Sequence, residues 1–140
     1  MHEIVHIAFG LFLLKVFQNP LIVFPVAFLS HFLLDIVPHY KSKSRTKQSL
    51  IVEISIDVLI SIIFLLFYFT YVKNLPSVSI ILATCFFAAL PDFFLLLNWL
   101  WGIKIFKSFF LDFHTKIQHE YSWAWIVEIG FFICLLFFLF

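Results

Sequence analysis

His31 and Asp35 stand four residues apart in the stretch SHFLLDIVPHY, and His39 follows Pro38 just beyond them. Positions i and i+4 share one face of an α-helix, so this imidazole and carboxylate project side by side. Pro38 ends the helix by biasing Val37 away from it, and the chain beyond can fold His39 back toward the pair. Neutral imidazole nitrogen beside carboxylate oxygen is the donor set of a hard-to-borderline divalent cation such as zinc. The same residue types recur along the chain. His2 and His6 repeat the i, i+4 spacing, as do Glu53 and Asp57. Asp92 follows Pro91, where a proline loosens a helix and can free backbone carbonyls. His114, His119 and Glu120 form a His-x4-His-Glu run whose i, i+5 spacing does not bring both histidines cleanly to one face. His31, Asp35, Asp92 and His114 are the leading candidate metal ligands, with His6, His39 and His119 behind them. Glu53, Asp57 and Glu120 are candidates to take a proton as general base or to orient the ligating histidines. No Ser-His-Asp, GxSxG or P-loop pattern competes, in a chain with three glycines.

The elements that must position these residues are apolar. The 140 residues are 64% hydrophobic and 21% aromatic, with 22 Phe and 12% charged residues. A soluble core of this size cannot hide so much apolar surface, so lipid must be the solvent for much of it. Hydrophobic segments run over 4–17, 21–37, 49–73, 77–101 and 121–140, divided by Asn19-Pro20, the polar loop PHYKSKSRTKQS, and KNLPS. Residues 102–120 mix charge with Phe and Ile and read as an amphipathic helix lying in the interface. YSWAW opens the last segment as an interfacial aromatic belt. The expected fold is one all-α integral membrane domain over 1–140, with four to five hydrophobic helices and one interfacial helix. Cys85 and Cys134 lie in apolar runs without CxxC spacing and imply no disulfide framework. The net charge of +1 and the scattered basic residues point away from nucleic acid.

The positive-inside rule puts the basic loop, with Lys41, Lys43, Arg45 and Lys47, on the cytoplasmic side of the membrane. Alternating crossings then place all six histidines and all eight acids in the half of their segments nearest the cytoplasm. Ionisable residues within a membrane are functional by default.

SHFLLDIVPHY resembles the His-x3-Asp helix motif of zinc-dependent phospholipases C and related nucleases, helical bundles whose metals hydrolyse phosphoesters. It is similar still more to the YdjM-like membrane-bound metal-dependent hydrolases of bacterial inner membranes. The matching pieces are HIAFG with His6 and Gly10, SHFLLD with His31 and Asp35, LPDFF with Asp92, and FHTKIQHE with His114 and His119. Phe94 stands where that family has a second aspartate. The resemblance implies hydrolysis of a phosphoester or other amphiphilic, lipid-like substrate at the cytoplasmic membrane boundary. Two other readings use the same residues: a non-catalytic membrane scaffold with a degenerate metal site, and a metal-ion or proton transporter. The outer half of each segment lacks the polar residues that would continue an ion path.

Overall fold

A computed structural model describes residues 1–40, 46–102, 109–119 and 121–140; the side chains at 47, 50, 99, 109–111 and 115 lie outside that description. Every regular element of any length among the described residues is an α-helix: α1 (Glu3–Phe17), α2 (Pro20–Ile36), α3 (Lys47–Tyr71), α4 (Val78–Trp101), α5 (Phe109–Ile117) and α6 (Trp125–Leu139).

Local chemistry sets the boundaries. Gln18 closes α1 in the left-handed conformation, at φ 55°. Asn19 then caps α2, its side chain accepting the Leu21 N–H, and Pro20 takes the first helical position, where its missing N–H costs nothing. Thr46 caps α3 by accepting the Ser49 N–H at 3.1 Å. Gly102 ends α4 at φ 66°, a conformation that suits a residue without a Cβ. Two ends are satisfied from a distance instead. The Asp57 carboxylate on α3 accepts the Glu3 N–H of α1 at 2.8 Å. Lys15 of α1 donates to the Phe138 and Leu139 carbonyls at the end of α6, at 2.7 and 3.4 Å. Each places charge where the helix dipole favours it.

α1 is apolar around its whole circumference, which suits a helix surrounded by others. It packs against α2, α3, α4 and α6, while α2 also packs along α4 and carries α5. Val5, Ala8, Leu11 and Leu14 meet Val23, Phe64, Ile81, Leu135 and Leu139 in the main core. Gly10 lets α1 approach α4 closely: a Cβ there would lie 3.1 Å from the Ala88 Cβ and 3.5 Å from the Thr84 Cγ2.

Two helical stretches, Ile51–Tyr71 of α3 and Val78–Asn98 of α4, are long and apolar enough to cross a membrane. Only 17% and 28% of their apolar windows are buried, so most of each apolar face is left uncovered. α1, α2 and α6 have 15, 17 and 15 residues. At about 1.5 Å per residue they fall short of the roughly 30 Å hydrocarbon thickness. The expected four to five hydrophobic helices are therefore present as helices, of which two have spanning length. The expected amphipathic stretch over 102–120 contains the nine-residue α5. Residues 41–45 of the basic loop, and Glu120, lie outside the described residues.

Candidate metal centre

Four of the candidate ligands converge. His31 and Asp35 come from the last turns of α2, Asp92 from α4 just past Pro91, and His114 from α5. One donor atom from each lies within 4.8 Å of all the others, so the cluster could hold a metal ion. His31, Asp35 and His114 are fully buried, whereas the Asp92 side chain is 32% exposed and forms the open edge of the group. His31 Nε2 stands 3.4 Å from Asp35 Oδ2 and 3.5 Å from Asp92 Oδ1. His114 Nε2 hydrogen-bonds to Asp35 Oδ2 and lies 3.7 Å from Asp92 Oδ1.

The chemistry of this donor set fits a divalent cation. His31 Nδ1 donates to the Ala88 carbonyl at 2.8 Å, which orients the ring with Nε2 toward the two carboxylates, where loss of its proton would make it a metal ligand. Among the described residues that Nε2 is buried with no hydrogen-bond partner, a costly state for a polar atom that metal ligation would relieve. Two imidazole nitrogens with two carboxylate oxygens match borderline divalent metals.

The remaining candidates divide. His6 adjoins the group: its ring stacks on His31 with centroids 3.9 Å apart, and its Nε2 is 3.4 Å from Asp35 Oδ1. His39 folds back as expected but is tied elsewhere. Its Nδ1 donates to the Val37 carbonyl at 3.0 Å, and its backbone exchanges hydrogen bonds with His119 and Tyr121. Burial pushes the His39 imidazole below its usual range, which keeps it neutral. The His119 side chain is exposed and Glu53 is half-buried on α3; neither belongs to the four-residue cluster. Asp57 caps α1 rather than reaching that cluster.

Three further partners lie outside the candidate set. Gln118, one turn beyond His114 on the same face, donates to Asp35 Oδ2 at 3.2 Å. The α-amine of Met1 donates to Asp35 Oδ1 at 3.1 Å. Glu128 is buried at the start of α6 and accepts the Tyr40 N–H at 2.8 Å. The i+4 spacing from His114 was a usable signal for Gln118; nothing local signals the Tyr40 bond.

His2 joins three helices at this end of the bundle. Its Nδ1 is 3.5 Å from Asp57 Oδ2 and its Nε2 is 3.6 Å from Glu128 Oε2. The Asp57 carboxylate, against the opposing effect of burial and with help from Glu128, raises the imidazole above its ordinary 6.5. A raised folded-state pKa contributes stability that is complete below 6.5 and is lost as pH rises through the raised value. The ring is half exposed, so the effect is small. Melting temperature in detergent is expected to fall across that window for the wild type and to stay flat for His2→Gln; parallel curves would remove His2 as the titrating group.

No family model, curated protein or solved structure matches this chain.

Proposed function

We propose that the protein is a membrane-embedded, metal-dependent hydrolase acting on a phosphoester or similarly amphiphilic substrate. The observation that carries this reading is the burial of His31, Asp35, Asp92 and His114 donors within 4.8 Å of one another, with only Asp92 open to the outside. A divalent ion, zinc by the mixed nitrogen and oxygen donor set, would supply Lewis-acid polarisation of an ester oxygen and would acidify a water. The protein's own contribution is orientation and exclusion. Ala88 and Gln118 hold His31 and Asp35 in place, the apolar core walls off the inner side, and the partly exposed Asp92 marks where substrate enters. The resemblance of the SHFLLD, LPDFF and FHTKIQHE stretches to YdjM-like hydrolases supports the same reaction class.

In this reading α3 and α4 cross the bilayer, the shorter α1, α2 and α6 pack with them inside it, α5 lies in the interface, and the 41–47 loop faces the cytoplasm of a bacterial inner membrane. Clustering of the ionisable residues at one end supports a boundary site. Beyond it, Leu11, Leu14, Val23, Ile81 and Leu139 fill the bundle toward Lys15, which favours a hydrolase over an ion path.

The test is turnover of an aryl phosphodiester and a short-chain phospholipid by zinc- or manganese-loaded protein in detergent. Activity is expected in both metal forms and is expected to fall at least about a hundredfold in Asp92→Asn. A protein that holds metal stoichiometrically and hydrolyses neither substrate class would favour the scaffold instead.

A further inference from the structure

α1 separates two different surroundings. On one side of it His6 stacks on His31. Ile4, two residues earlier and so about 200° round the helix, lies on the other. There Ile4 joins Ile60, Ile63 and Phe67 of α3 and Phe132 and Leu136 of α6 around a groove of about 250 Å³. Every described residue that lines it is apolar. Ile60, Ile63 and Phe67 are each about half exposed, so the groove opens sideways, on the flank of a helix long enough to cross a membrane. From Ile60 to Phe67 it follows α3 for about 10 Å, at about 1.5 Å per residue, or about a third of the hydrocarbon core.

One end of the groove is polar. Asp57 stands one turn before Ile60 on α3, and Glu128 one turn before Phe132 on α6. The His2 imidazole spans them, 3.5 Å from Asp57 Oδ2 and 3.6 Å from Glu128 Oε2. Glu128 Oε2 is buried and, among the described residues, has no hydrogen-bond partner. Even with His2 protonated, these three side chains carry a negative charge in excess. They favour a cation that donates hydrogen bonds over an anion.

We propose that this flank binds one bilayer phospholipid with a primary-ammonium headgroup, its acyl chain in the groove and its ammonium against Glu128 and Asp57. The proposal rests on α3 and α4 crossing a bilayer and is independent of the metal centre, which lies across α1. The apolar walls alone would take any acyl chain. Selection comes from the carboxylates, because an ammonium brings three N–H donors to a site where Glu128 Oε2 has acceptor capacity unused.

Native mass spectrometry of the full chain in detergent, mixed with equal amounts of phosphatidylethanolamine and phosphatidylglycerol of the same acyl chains, tests this. The wild type is expected to retain one lipid per chain and to prefer the ethanolamine lipid by about fivefold. Glu128→Gln keeps an oxygen for the Tyr40 N–H and is expected to bring that preference to parity. Ile63→Trp fills the groove and is expected to lose both lipids, whereas Leu59→Trp, on α3 but outside the groove, is expected to retain them. A wild type that partitions into membranes yet retains neither lipid would overturn the site and leave the bilayer reading standing. Equal retention of the two lipids would overturn the headgroup pairing. Retention by Ile63→Trp would overturn the groove as the place of the acyl chain. If Glu128→Gln does not fold, the wild-type preference decides the headgroup pairing by itself.

Discussion

Asp35→Asn is expected to lower the affinity for a divalent cation by at least about a hundredfold while leaving the helices in place; altering even the groups that orient ligands costs about 10–100-fold. Asparagine keeps the shape of the side chain and loses the charge. Asp35 is the only carboxylate in the cluster that is fully buried, and His6, His31, His114, Gln118 and the Met1 amine all face it. Asp35→Ala goes further, because it leaves His114 Nε2, the Gln118 amide and the Met1 amine without their common acceptor. Removing one partner of such a buried network costs about 3–5 kcal/mol. Equilibrium dialysis gives the affinities, and denaturant unfolding in mixed micelles gives the stability. Wild-type metal binding by Asp35→Asn would remove Asp35 from the ligand set. Wild-type stability of Asp35→Ala would show that the network contributes nothing to the fold.

Gly10→Val is the second large effect, and it acts without touching a ligand. A Cβ at Gly10 already meets the Ala88 Cβ at 3.1 Å, and two further methyl groups have no room between α1 and α4. Overpacking of this kind costs about 1–3 kcal/mol. The strain falls on Ala88, whose carbonyl orients His31, one turn before Asp92 on the same helix. Pushing α4 outward therefore moves one ligand and releases the ring orientation of another. Gly10→Val is expected to lose both melting temperature and metal affinity. Gly130→Val on α6 has nothing within 4 Å of the new Cβ and is expected to lose neither. Equal behaviour of the two variants would contradict the close α1–α4 contact.

The candidate site was legible where local rules apply. The i, i+4 spacing of His31 and Asp35 on an apolar helix put both on one face, and Pro91 singled out Asp92. Asn19-Pro20 and Pro38 fixed the ends of α2 because proline chemistry is local. The rest depends on how helices meet. Asp57 was a candidate base by the same spacing rule that found Asp35, yet it caps a helix more than fifty residues away in sequence. No periodicity reveals which distant N-terminus a carboxylate will serve. Glu128 reads as an interfacial acid until the chain after α2 brings the Tyr40 N–H against it. His6 lies on a helix that is apolar all round, so nothing in its own pattern says which side faces His31. Gly10 carried the missing information, because the face that lacks a side chain is the face where α4 packs.

The most direct test is the metal content of the detergent-purified protein, measured by elemental mass spectrometry beside Asp35→Asn. The account predicts at least one zinc or similar divalent ion per wild-type chain and its loss from the variant. A folded wild type that holds no metal after loading with zinc or manganese would contradict it and leave His31, Asp35, Asp92 and His114 as a polar contact between helices.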